Sequence, residues 1–189
     1  MPSAGITRER VHTRTITLDG YSRSDGLIDI EGEIKDVKTY DFPNRDRGMI
    51  HANEALHHMK VRIAIDANMT IHEAEAETLA GPYHICPSAT QIFGRLVGLT
   101  IAPGWRNRVR QAIGGVAGCT HITELMGPVA TVAYQTLYGE KARQKRATPA
   151  GSNPLKEEHD ALINSCIGHA EDPAAVLAGL DNPETSAES

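Results

Sequence analysis

The sequence predicts an α+β fold: an antiparallel sheet from the N-terminal half, covered by helices from the C-terminal half. Three observations carry this reading. Leu27–Lys38 and His57–Asp66 alternate apolar and polar residues with a period of two, as a sheet with one wet face requires. Beyond Gly81-Pro82 the apolar spacing becomes helical. The strands come first and the helices after, within a chain of 189 residues, room for one domain of ordinary size. That domain is expected over residues 8–140, with residues 141–189 a linker and an accessory helical tail.

The elements follow in order. Residues 1–9 read as a loose arm. Val11–Leu18 is β-branched and alternating, hence a strand, with turns expected at Asp19-Gly20 and Ser24-Asp25-Gly26. In Leu27–Lys38, Ile28, Ile30 and Ile34 share one face, and Asp29, Glu31, Glu33 and Lys35 the other. Asp41–Asn53 reads as a loop. In the next strand Met59, Val61, Ile63 and Ile65 share a face; Asp66-Ala67-Asn68 turns the chain. Met69–Thr78 is expected to return as a hairpin strand, although its EAEAE run also suits a helix by propensity. Helices are predicted over Ser88–Val97, Trp105–Ile113 and Cys119–Tyr138, the last kinked or split at Pro128. Between the last two, Gly114–Gly118 forms an elbow. From Gly139 the chain turns polar: the basic run Lys141–Arg146 reads as a solvated helix end and Ala147–Pro154 as a linker. Leu155–Gly168 and Ala174–Leu180 read as helices, and residues 181–189 as a disordered end.

Composition excludes several classes. A net charge of −5 argues against a general nucleic-acid binder, which needs a basic surface. No apolar run approaches the ~20 residues of a membrane span. The N-terminus has no apolar core of a secretory signal, and three cysteines without a C-x-x-C pair suggest neither a disulfide framework nor a zinc knuckle. A cytoplasmic protein is therefore expected. With only two Phe, one Trp and five Tyr, an aromatic platform for RNA is not expected either.

The chemistry-bearing residues stand out by position. Continuing the strand alternation puts Asp36, Lys38 and His57 on the helix-facing side, where a carboxylate or ammonium must be paired or line a cavity. The plainer alternative is an Asp36–Lys38 ion pair at a wet strand end. The second group is GGVAGCTHITEL, three glycines leading into a helix that opens with Cys119, Thr120, His121 and Glu124. Backbone N–H groups and the dipole at a helix start favour anions and lower a thiol pKa. Cys119, His121 and Glu124 could ligate zinc or iron, with His57 or Cys86 completing the set. The plainer reading makes Thr120 an N-cap and Glu124 a partner of the dipole. Arg23 and Asp25 are either turn residues or a clamp for a substrate carboxylate.

Several of these residues carry a resemblance. Arg14–Lys38, His57-His58-Met59, Ile71–Ala76, Pro82–Pro87 and, above all, GCTHITEL with Ala133–Thr136 resemble a bacterial family known only as a domain of unknown function, over about residues 8–140. The family pattern has His, Met and Cys at the positions of His57, Met59 and Cys86, and Gly-Cys-Thr-His and Glu at 118–121 and 124. It usually has an acidic residue where this chain has His58. The resemblance implies a functional helix start but brings no reaction with it. A second likeness, tied to no particular residues here, is to small lyases of lignin-dimer catabolism that release a hydroxymethyl group as formaldehyde.

The function expected is acid–base chemistry of a lyase or isomerase type, such as retro-aldol cleavage or elimination, on a small organic or aromatic substrate. His57, His121, Glu124, Lys38 and Asp36 are the candidate catalytic residues; Arg23, Asp25, Cys119 and Thr120 are candidates for binding substrate. No G-x-G-x-x-G or Walker A motif is present, so no nucleotide cofactor is expected; the alternatives are no cofactor or one zinc or iron ion. The expected partner is a small molecule, without nucleic acid or membrane, and homo-oligomerisation stays open. A metal carrier and a non-catalytic binding or assembly module are the competing functions.

Overall fold

The computed structural model describes residues 5–147, 163, 164 and 166–180. The chain divides into two units, residues 1–137 and 138–189. In the first, β1 (His12–Ser22), β2 (Ile28–Lys38), β5 (Ala55–Ile65) and β6 (Ile71–Ala80) form a four-stranded sheet in the order β1-β2-β5-β6, antiparallel throughout. The segment between β2 and β5 is not a plain loop. It forms a small hairpin of β3 (Phe42–Asn44) and β4 (Gly48–Ile50), closed by the Asn44 side chain, which accepts from the N–H groups of Asp46 and Arg47. Composition hides such a hairpin, because a three-residue strand shows no alternation.

One face of the sheet is apolar and the helices lie on it. Ile28, Ile30, Ile34, Met59, Ile63 and Ile65 are buried together with Trp105, Val109 and Ile113 of α1 (Trp105–Ile113). Ile122, Leu125, Val129 and Ala133 of α2 (Thr120–Ala147) complete this core. The indole N–H of Trp105 donates to the Met126 carbonyl and ties α1 to α2. β6 is a strand, as its short turn predicts: alternation against β5 prevails over the helical propensity of EAEAE.

Four expectations need correction. The chain does not turn at Asp19-Gly20; β1 runs on to Ser22, with Gly20 opposite Ile30. Gly20 is there for packing, because a Cβ would lie 2.0 Å from Thr136 Oγ1 of α2. Ser88–Val97 is not one helix but two 3-10 turns, Cys86–Thr90 and Phe93–Leu96. Phe93 and Leu96 are buried three residues apart, which suits the 3-10 period, and Gly98 at φ +86° is in the left-handed region just beyond. α2 is not split at Pro128 and does not stop at Tyr138. It extends through Lys141–Arg146, supported by bonds from Arg143 and Gln144 to Glu140. Lastly, the described part of Leu155–Gly168 holds a 3-10 turn, Ile167–His169, rather than an α-helix. The short helix beyond is present as α3 (Pro173–Leu180). Residues 148–162, 165 and 181–189, on which the linker, most of the helix expected over Leu155–Gly168 and the disordered end fall, lie outside the described residues.

The close approach at Gly20 is testable. Gly20→Ala is expected to lower stability by roughly 1–3 kcal/mol in urea unfolding. Adding Thr136→Ala to the same chain should recover most of the loss.

Candidate active site

The helix-facing side of the sheet ends in a polar row. In the β1–β2 register Arg14 lies opposite Asp36, and in the β2–β5 register Asp36 lies opposite His57. Residues directly opposite one another share a face, so the three side chains line up across three strands. The β2–β5 register shifts immediately after Asp36, a bulge that ends the regular ladder at this row. α2 then brings His121 over it: the His57 and His121 rings lie 3.8 Å apart, centroid to centroid, at 31°.

Asp36 is fully buried, at 0% exposure, and it is well partnered. Arg14 donates through Nε to Oδ1 at 2.8 Å and through Nη2 to Oδ2 at 2.9 Å, a bidentate pair. His12 Nε2 is 3.1 Å from Oδ1, and His57 Nδ1 is 3.1 Å from Oδ2. An ionised carboxylate only accepts, so both imidazole nitrogens are donors here. His121 Nε2 stands 3.5 Å from Oδ2. The remaining guanidinium arm, Arg14 Nη1, donates to Glu124 at 3.0 Å.

These contacts set the protonation states. Burial by itself raises the Asp36 pKa. The hydrogen bonds from Arg14 and His12 and the Arg14 charge outweigh it and hold the carboxyl well below the usual range. His57 moves the other way from a paired histidine. Burial and the neighbouring His121 push it down to about 4 against the attraction of Asp36. His121 is lowered as well, by burial first and then by the Arg14 charge. At neutral pH the site therefore holds two neutral imidazoles on an ionised carboxylate. His57 donates its Nδ1–H hydrogen bond to Asp36, which leaves the Nε2 lone pair as a base.

The structure brings together part of the predicted set. Asp36, His57 and His121 meet, and Glu124 (65% exposed) joins through Arg14. Lys38 does not: its ammonium donates to the Tyr40 hydroxyl at 2.9 Å and lies over the Tyr40 and Phe42 rings, so an Asp36–Lys38 pair does not form. Arg23 and Asp25 pair with each other at the other end of β2, beside Asp29 and Glu73, about 24 Å of strand from Asp36. Cys119 Sγ is 3.8 Å from His121 Nδ1, at the edge of the site. The Cys119 carbonyl accepts from the Thr123 N–H, so Cys119, not Thr120, holds the N-cap position; Thr120 is exposed. Gly118 leads in at a point where a Cβ would lie 1.8 Å from the Ile113 carbonyl oxygen. His58 faces outward onto Glu33 at 2.5 Å.

Sequence reasoning missed Arg14 and His12. The signal was present: counting back from the Ser24–Gly26 turn places Arg14 opposite Asp36 and His12 opposite Lys38. It was obscured by the expected turn at Asp19-Gly20, which cuts the strand short.

The donor set for a metal also differs from the expected one. Among the described residues, the group whose ligand atoms all lie within 4.8 Å of one another is Asp36, His57 and His121, not Cys119, His121 and Glu124. Two neutral imidazoles and a carboxylate are a fitting set for an ion such as zinc or iron. Arg14, however, holds both Asp36 oxygens. Cys86 packs against Gly81 and is outside this group. A separate shallow hollow of about 320 Å³ lies on the outer face of the sheet, among Glu31, Glu33, Lys60, Arg62 and Glu75. Its charges pair largely with one another, and it does not reach the histidines.

Fold and site together define an α+β protein with a carboxylate–imidazole–guanidinium cluster at one end of its sheet. The chain belongs to the family described as Protein of unknown function (DUF2889), whose model matches residues 12–135, from His12 in the cluster to beyond Glu124. No curated protein and no solved structure matches it. Among the described residues no helix is long and apolar enough to cross a membrane.

Asp36→Asn is expected to cost roughly 2–4 kcal/mol in denaturant unfolding: Arg14 loses its buried partner but, at 37% exposure, keeps some solvent. The pH dependence has a defined sign. His57 takes up its proton near 6.5 when unfolded and only near 4 when folded. Its contribution is thus complete above pH 6.5 and is lost as the pH falls towards 4. His121 is shifted in the same direction, and the Asp36 contribution disappears only below the ordinary carboxylate range. Thermal unfolding between pH 7.5 and 4.5 should show this decline in the wild type and a shallower one in His57→Ala.

Proposed function

We propose that the protein is an enzyme of acid–base chemistry, of lyase or isomerase type, acting on a small organic or aromatic substrate. The observation that carries this reading is the His57 ring. It is held by a buried, ionised Asp36 through Nδ1, is kept neutral at pH 7, and is stacked on a second neutral imidazole. A base oriented by a carboxylate is the arrangement that makes proton abstraction efficient. In a retro-aldol cleavage, His57 Nε2 would take the hydroxyl proton. The carbon–carbon bond would break to leave an aldehyde, its electron pair passing to an electron-accepting group on the other fragment. That fragment would then take a proton back from the imidazolium. Lys38 and Arg23 are engaged elsewhere, so stabilisation of a developing oxyanion falls to the first backbone N–H groups of α2, which have no partner within the helix.

A second reading has one observation in its favour: Asp36, His57 and His121 could hold a zinc or iron ion. Arg14 speaks against it, because a cation would have to displace a bidentate guanidinium from the carboxylate it needs. When bound, such an ion would act as a Lewis acid towards a substrate oxygen.

Screening aromatic alcohols and small organic acids for thermal stabilisation, then for release of an aldehyde, tests both readings. His57→Ala and His121→Ala should each lower kcat/KM by about 10²–10⁴-fold. Glu77→Gln on the outer face should leave it unchanged. Wild-type turnover in both histidine variants, with the fold intact, rejects the acid–base reading. Stoichiometric zinc or iron in protein purified without chelators, with activity lost in EDTA, transfers the site to the metal reading.

A further inference from the structure

A groove of about 280 Å³ runs between α1 and the first turns of α2. Pro128 and the edge of Trp105 give it an apolar wall over the buried Val109 and Met126, and Arg106 and Arg110 stand along it. The two arginines are four residues apart on α1 and therefore share a helix face, with Cβ atoms roughly 6 Å apart. Both are exposed, and among the described residues neither side chain is in an ion pair or a hydrogen bond. Arg108, between them, is different: its guanidinium is tied to the carbonyls of Thr100, Ala102 and Pro103.

Structural roles account poorly for this pair. Arg110 lies in the last turn of α1, where a cation complements the helix dipole. Arg106 lies in the first turn, the wrong end for a cation, and that turn has no acidic residue to offset it. Glu124 also lines the groove, but its carboxylate already accepts from Arg14. The groove thus offers two uncommitted guanidinium groups beside an apolar wall. By contrast, every guanidinium nitrogen of Arg14 in the histidine cluster is already taken.

We propose that this groove binds an amphipathic organic carboxylate, its anionic end held by Arg106 and Arg110 and its apolar body against Pro128 and the exposed edge of Trp105. The bidentate geometry of guanidinium suits a carboxylate, and the size suits a single aromatic acid. Glu124 joins the groove to the cluster through Arg14 and Asp36. Taken as a subsite for the substrate's acidic end, the proposal rests on the acid–base reading above; as a binding site it stands independently.

Trp105 is the only tryptophan of the chain, so its emission reports the groove directly. Titration with 3-phenylpropionate is expected to give a saturable change in emission. The alcohol 3-phenylpropan-1-ol should bind at least tenfold more weakly. Arg106→Gln/Arg110→Gln, substitutions of exposed residues, should abolish this discrimination, and raising NaCl should weaken the carboxylate alone. Four results would overturn the proposal: no saturable change, equal affinity for acid and alcohol, undiminished binding by the double variant, or equally tight binding of inorganic phosphate. A change that follows protein concentration without ligand would assign the groove to a second copy of the chain and overturn it too. Binding is measured without turnover, so its failure is distinct from failure of His57 as a base.

Discussion

A single buried negative charge organises this protein. Asp36 sits at the end of an otherwise apolar face, with no access to water. A carboxylate in that position is tolerated only if its oxygens are saturated. Arg14 meets most of the demand by two hydrogen bonds, and His12 and His57 complete it. Each donor comes from the adjacent strand directly opposite or two residues away, so the pairing registers of β1 and β5 are coupled to the charge. A slip of one residue would turn Arg14 outward and leave Asp36 unpaired.

The same requirement creates the chemistry. A carboxylate held ionised by arginine orients the imidazole beside it, while burial keeps both rings neutral, helped by His121 at His57 and by the Arg14 charge at His121. The groups rest on strand ends and on the first turns of α2. The approach of α2 is set in turn by two glycines, Gly20 under Thr136 and Gly118 against the Ile113 carbonyl. Stability and reactivity are therefore joined. The bonds that make Asp36 tolerable also make His57 a base, and both are lost on acidification. α1, fixed to α2 by the Trp105–Met126 bond, carries its arginines alongside the same end of α2.

Much of this was legible in the sequence, for local reasons. The period of two in Ile28–Ile34 and Met59–Ile65 reports a half-buried strand wherever that strand packs. The helix Trp105–Ile113 follows from its spacing alone. Continuing the alternation by two residues also placed Asp36 and His57 on the covered face. What failed locally was turn chemistry and competition between periods. The hairpin closed by Asn44 and the two 3-10 turns, Cys86–Thr90 and Phe93–Leu96, are too short to have a period of their own.

The amino-acid sequence by itself determined the α+β class, the faces of the central strands and the helix start at GCTHITEL, because each depends on residues close in the chain. Only the tertiary structure decided which partners Asp36 takes. Lys38, two residues away, is drawn to Tyr40, while Arg14, 22 positions earlier, closes on the carboxylate. A buried charge selects its partners by register and geometry across strands, and distance along the chain carries no weight in that choice.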